Sequence, residues 1–177
     1  MRMALAPEQR AIQTRRIADE LDELLAHSPA AVVSVYWPIR AEPDLREWMR
    51  ELCQRGARIA LPVALALGQP LIFREWRPGA RMARGLWNIP HPADGAVVEP
   101  DCVLAPLVGF DADCYRLGYG GGFFDRTLVA MSRKPRVVGI GYPQARIPTI
   151  FPQPYDVPMD SIVTGAGIVK RRGVHRC

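Results

Sequence analysis

Lysine is nearly missing from this chain: Lys134 and Lys170 are the two in 177 residues, and arginine carries the rest of the positive charge. That scarcity excludes a P-loop, whose Gly-x-x-x-x-Gly-Lys-Ser/Thr pattern needs a lysine beside its glycines. The four cysteines, Cys53, Cys102, Cys114 and Cys177, include no Cys-x-x-Cys pair. A zinc knuckle or a vicinal redox couple is therefore excluded, and structural thiols remain. No apolar run reaches the length of about eighteen residues that a membrane helix needs, and the start MRMALAPEQRA lacks the long apolar core of a signal peptide. The expectation is a cytoplasmic protein without a membrane partner. The arginines are dispersed and not interleaved with aromatic residues, which disfavours nucleic acid. Their one cluster, Lys170, Arg171 and Arg172 with His175 and Arg176, reads as a basic tail from about residue 166, with RNA binding as the weaker alternative.

What is present describes one globular domain over residues 1–177, with 49% apolar and 23% charged residues. The net charge of +5, carried by arginine forks, suits an anionic ligand. Residues 7–27 read as a helix, with Pro7 in its first turn and Ile17, Leu21, Leu24 and Leu25 at helical spacing. AVVSVY (31–36) reads as a strand buried on both faces. PDLREWMRELCQRG reads as a helix capped by Gly56, and ARIALP (57–62) as the next, parallel strand. LIFREW is a further strand, RGLWNIPHPADG reads as irregular chain, and DCVLAPLVGF (101–110) as one strand. A helix from about 124 to 133, a strand RVVGIGY (136–142) and a last short strand SIVT (161–164) follow. The whole predicts an α/β domain layered on a mostly parallel sheet with helices on both faces, binding its ligand at the carboxyl ends of the strands.

RLGYGGGFFDR (116–126) lies between a buried strand and a helix, where bare N–H groups and the positive end of the helix dipole meet an anion. It does not complete the dinucleotide pattern Gly-x-Gly-x-x-Gly, because Phe123 occupies the third glycine position. Asp125, at the start of the helix, either complements the dipole or holds Mg2+ beside a polyphosphate. Arg116 either meets those phosphates or pairs with Asp125 at the surface.

LAPLVGFDADCYRLGYGGGFFDRTL (104–128) resembles the signature of the 5-formyltetrahydrofolate cyclo-ligase (5,10-methenyltetrahydrofolate synthetase) family. The likeness extends to LAPEQRAIQTRRIADEL, YWPIRAEPDL, GLWNIPHP and YDVPMDSIVT. It implies a fold like that of CoA-transferases and ribose-5-phosphate isomerase; the expected state is a monomer. The implied activity is ATP-dependent closure of 5-formyltetrahydrofolate to 5,10-methenyltetrahydrofolate, with release of ADP and phosphate, through an iminium phosphate. The resemblance implies that Arg116, Leu117, Gly118, Tyr119, Gly120, Gly121, Gly122, Phe123 and Phe124 bind ATP, with Arg116 and Asp125 catalytic. Mg2+ would be held by Asp125 and Asp160, although Asp160 also reads as a turn-capping aspartate. Glu42 matches the family's pterin-binding glutamate, otherwise a solvated loop charge. Trp37, Trp87, Tyr119, Phe123 and Phe124 would contact the folate, although a tryptophan beside a strand also reads as core.

Three departures stand against the family pattern. The Lys-x-x-x-Arg that members carry at the start of the first helix is not supplied by Met1, Arg2 and Met3, so the expectation is either an upstream start or weakened ATP use. The second case corresponds to a non-catalytic folate-binding paralogue. The usual Tyr-Tyr is Phe123-Phe124, which keeps two rings without their hydroxyls. A glutamate of the middle segment is replaced by His91, which reads as a surface residue.

Overall fold

The computed structural model describes residues 2–27 and 29–171. Helix α1 spans Pro7–His27 and buries Ile17 and Leu21, one helical turn apart. Strand β1 (Val32–Ser34), helix α2 (Arg46–Gln54) and strand β2 (Arg58–Val63) follow, with β1 and β2 parallel. Leu45, Trp48, Met49 and Leu52 are buried at and within α2, and Gly56 follows it at φ 89, the left-handed conformation that favours glycine.

Strand β3 (Ile72–Trp76) runs antiparallel to β2. The stretch expected to be irregular instead holds a short hairpin, β4 (Met82–Arg84) with β5 (Pro90–Pro92), pairing Ala83 with His91. It forms despite Pro90 and Pro92 because a two-stranded ribbon has free edges toward which their missing N–H groups can point.

Strand β6 covers Cys102–Pro106, shorter than the sequence suggests; Leu107 N–H still donates to Ile140 O at 3.0 Å before the chain leaves the sheet. The chain then turns into a second small hairpin, β7 (Gly109–Phe110) with β8 (Arg116–Leu117), closed by Val108 N–H donating to Leu117 O at 2.8 Å. Helix α3 covers Phe123–Ala130, β9 Arg136–Ile140, β10 Ser161–Val163 and β11 Ile168–Lys170. Residues 168–170, assigned from sequence to the tail, pair antiparallel with β10, while Arg172, His175 and Arg176 lie outside the described residues.

The seven-stranded sheet has the order β11-β10-β9-β6-β1-β2-β3. Strands β10, β9, β6, β1 and β2 are mutually parallel, and the antiparallel β11 and β3 form the edges. Alternation along the strands divides the core in two. Val33, Ile59, Leu104, Val138 and Val163 pack with α1 and α2, whereas Val32, Ala60, Val103, Val137 and Ile162 pack with Phe110 and with Leu128 of α3. Helices thus cover both faces, as an α/β sheet buried on each side requires. Chain order reverses between β1 and β6. The loops leaving the carboxyl ends of these two strands, 35–45 and 107–122, therefore part at a topological switch point, where such sheets open a binding crevice.

Candidate active site

The loop after β1 carries Trp37, Arg40 and Glu42. Glu42 is 5% exposed, and its Oε2 accepts from Ile39 N–H at 2.9 Å while Glu42 N–H donates to Ile39 O at 3.0 Å. This reciprocal pair makes a tight turn, with Arg40 at φ 46 and Ala41 at φ 60. A carboxylate withdrawn from water in this way is no solvated loop charge. Trp37 lies under the Arg46 guanidinium, 5.3 Å from the ring centroid, and Arg46 pairs with Asp44 at 2.5 Å. The Arg46 hydrogen bond holds the Asp44 carboxyl below its ordinary range, in opposition to its partial burial.

The loop after β6 supplies the glycine stretch. Arg116, on β8, has a side chain only 5% exposed; its Nη2 donates to Asp125 Oδ2 at 3.1 Å, and the guanidinium sits 5.1 Å from the Phe124 ring centroid. Burial pulls its pKa down, while the carboxylates of Asp125 and Asp156 push it up; an arginine remains charged under such opposed pressures. Its buried Nε has no hydrogen-bond partner. The surface ion pair weighed from sequence is thus a buried one. Asp125, in the first turn of α3, is 17% exposed and also accepts from Val157 N–H through Oδ1 at 3.1 Å.

The glycines have distinct reasons. A Cβ on Gly118 would come within 2.9 Å of Arg116 Nη1, and one on Gly121 within 2.8 Å of the Phe123 ring. Gly122 opens α3 at φ 61, and Gly120 stands at φ 86 with open space where a Cβ would be. Arg126, which the sequence reading passed over, donates through Nη1 to Gly121 O and Gly122 O at 3.4 Å each.

Ring contacts join the pieces. Arg40 lies 5.0 Å from the centroid of Tyr119, and Trp87 meets Phe123 edge to face at 5.3 Å. Trp87 is 60% exposed at φ 52, in the connection between β4 and β5, so it is no core tryptophan. Leu117, the remaining member of the string, is 39% exposed. The glycine stretch therefore touches the loop after β1 on one side and the β4–β5 connection on another. His91 Nδ1 lies 2.9 Å from Pro92 O in a half-buried position beside Gly85, rather than on an open surface.

Asp160 lies elsewhere. It immediately precedes β10 and takes Val137 N–H on its Oδ2 at 2.8 Å, at the amino ends of β9 and β10. Among the described residues no group of three or more His, Cys, Asp or Glu side chains is arranged to hold a metal ion. Asp125 retains unused acceptor positions and suits a cation that arrives with phosphate, since Mg2+ on a nucleotide takes one or two protein carboxylates. Asp111 also escaped the sequence reading. It is 3% exposed and accepts from Asp113 N–H and Tyr115 N–H at 3.1 Å and from Ile150 N–H at 3.2 Å. The Phe-Asp that precedes the glycine stretch was its available signal.

The model of the 5-formyltetrahydrofolate cyclo-ligase family matches residues 1–165. The 5-formyltetrahydrofolate cyclo-ligase of Escherichia coli K12 is 30% identical over 171 residues, covering 92% of this chain and 93% of its own length. That of Mycolicibacterium smegmatis is 34% identical over 149 residues, covering 79% of this chain and 77% of its own. The NMR structure of Aquifex aeolicus 5,10-methenyltetrahydrofolate synthetase aligns with a TM-score of 0.84 at 25% identity, covering 99% of this chain and 90% of that one. The 5,10-methenyltetrahydrofolate synthetase from Mycoplasma pneumoniae aligns at 0.76 with 27% identity, covering 93% of this chain and 92% of that one. A glycine stretch beside a buried arginine, loops that part at a topological switch point and a match that runs nearly the whole length agree: this chain belongs to the 5-formyltetrahydrofolate cyclo-ligase family.

Proposed function

We propose that the protein converts 5-formyltetrahydrofolate and ATP to 5,10-methenyltetrahydrofolate, ADP and phosphate. The observation that carries this reading is Arg116: a guanidinium buried against Asp125 at the start of α3, with Gly118 leaving no Cβ in its path. A fixed cation beside bare N–H groups at a helix start favours a polyphosphate. The folate would lie between Trp37, Glu42, Trp87 and Tyr119, with the Glu42 carboxylate accepting from the amino-pyrimidine edge.

In this reading the formyl oxygen attacks the γ-phosphorus and ADP departs, leaving an iminium phosphate. Nitrogen 10 then attacks the formyl carbon, loses its proton, and phosphate leaves. Such transfers depend mainly on alignment and on neutralising phosphate charge. Arg116 supplies the fixed charge, the amides of residues 118–122 orient the oxygens, and Phe123 and Phe124 exclude water. Mg2+ would enter with the nucleotide and neutralise phosphate charge, with Asp125 the carboxylate placed to reach it. Asp160 is left to its strand-capping bond. A monomer acting in the cytoplasm fits a small-molecule reaction of this kind; among the described residues no helix is long and apolar enough to cross a membrane.

The test is direct. Purified protein with 5-formyltetrahydrofolate and MgATP should develop the methenyl chromophore with stoichiometric ADP. Folate binding without nucleotide binding or turnover would overturn this reading in favour of a non-catalytic folate-binding protein.

A further inference from the structure

The segment 147–157 is fastened to the same unit that holds Arg116. At one end Ile147 N–H donates to Phe110 O at 2.9 Å, and Ile150 N–H to Asp111 Oδ2 at 3.2 Å. At the other, Val157 N–H donates to Asp125 Oδ1 at 3.1 Å. Between them the loop is bonded to itself. Phe151 N–H donates to Thr149 Oγ1 at 2.9 Å, Gln153 N–H to Asp156 Oδ2 at 2.7 Å, and Gln153 Nε2 to Phe151 O at 3.0 Å. Pro148, Pro152 and Pro154 fix φ along it. The loop is thus held in one shape before any ligand comes.

That shape presents two rings to water. Phe151 is 77% exposed and Tyr155 71% exposed, and Phe151 holds φ 55, a conformation a bulky side chain rarely adopts. Burial gives no reason for either ring, and strain of this kind collects at ligand sites. The loop that carries them reaches the Arg116–Asp125 pair through Val157 N–H, which donates to Asp125 Oδ1 at 3.1 Å. The glycine stretch itself is met by Arg40 against Tyr119 and Trp87 against Phe123, the contacts assigned to the folate. With the folate on that flank, the loop fastened to Asp125 is the exposed aromatic surface left for the base.

We propose that Phe151 and Tyr155 are the stacking surface for the base of the nucleoside triphosphate. The assignment rests on the cyclo-ligase reading, and requires that a nucleotide occupy the glycine stretch. Flat rings on a fixed loop suit any base face, so the contact would supply affinity more than choice among bases.

The experiment compares MgATP with tripolyphosphate, which has the phosphates and no base, by calorimetric titration of the full chain and its Phe151→Ala and Tyr155→Ala variants. Loss of a stacking ring should weaken MgATP binding about five- to a hundredfold, leave tripolyphosphate binding within about twofold, and spare the KM for 5-formyltetrahydrofolate. Phe151→Tyr and Tyr155→Phe, which keep the rings, should bind MgATP as the parent does. Unchanged MgATP affinity in both alanine variants, or a parallel loss of tripolyphosphate binding, would overturn the proposal. Binding is read without turnover, so an inactive parent protein that still binds MgATP through these rings would sink the cyclo-ligase reading alone.

Discussion

Arg116 and Asp125 are joined through Nη2 and Oδ2 at 3.1 Å, with side chains only 5% and 17% exposed, and this contact ties hairpin β7–β8 to the first turn of α3. Because Asp125 also accepts from Val157 N–H, one carboxylate fixes three segments. The pair thus organises these segments in the absence of any ligand.

Removing one partner should be costly in two ways. Arg116→Ala leaves Asp125 unpaired in a largely buried position, so urea unfolding should show a loss of about 3 kcal/mol. The double variant Arg116→Met with Asp125→Leu should recover most of that stability and none of the turnover. Equal activity in the double variant and the parent would remove both residues from the chemistry.

The glycines should separate by mechanism. Gly118→Ala brings a Cβ within 2.9 Å of Arg116 Nη1, so it should lower kcat/KM for ATP with little change in stability as the guanidinium yields. Gly120→Ala meets open space but demands φ 86, and should cost about 1 to 2 kcal/mol of stability with a smaller effect on catalysis. Denaturation midpoints and steady-state rates for the two variants would show this crossing; the same profile for both would contradict it.

Glu42→Gln keeps an oxygen for Ile39 N–H but replaces the second acceptor with an amide that donates. The KM for 5-formyltetrahydrofolate should rise by at least about tenfold, the worth of one charge-assisted bond, while the KM for ATP stays put. A matching rise in both constants would mean that Glu42 shapes the loop rather than meeting the folate.

Cys114 is fully buried, and its Sγ faces Val169 O at 3.6 Å. Burial foremost, with help from the Asp111 carboxylate, pushes the thiol from 9.0 up to about 11. Native Cys114 should therefore resist alkylation at mildly alkaline pH. The unfolded chain binds fewer protons than the native one between these two values, so the thiol's contribution to stability is complete below pH 9.0 and is lost as pH rises toward about 11. Denaturant titrations of the parent and Cys114→Ala across that window should converge; parallel curves would refute the shift.

The regular elements were readable because they depend on local pattern. The α1 reading of residues 7–27 coincides with Pro7–His27, since proline at the first position and apolar residues at helical spacing mark a helix without outside help. Helix α3 was expected to reach residue 133 and stops at Ala130. There Lys134 Nζ folds back to donate to Leu128 O and Val129 O at 2.8 and 3.0 Å, a tertiary closure with no periodic signal. The β7–β8 and β4–β5 hairpins were missed because two- and three-residue strands carry too little alternation to be distinguished from loop. Arg116 was identified from the glycine stretch, but its burial depends on segments far away in the chain.

The chain's order of residues by itself determined a parallel α/β sheet, the glycine stretch between strand and helix, and the family signature around it, because these depend on neighbours in sequence. Only the tertiary structure decided that Arg116 is buried, that Glu42 turns in from a solvent loop, and that Asp160 caps β9 at the other end of the strands. Only it showed that residues 147–157 stand with two bare rings beside the site. Burial and pairing across segments depend on which strands become neighbours, and the β6-β1 pairing, where chain order reverses, joins residues some seventy positions apart.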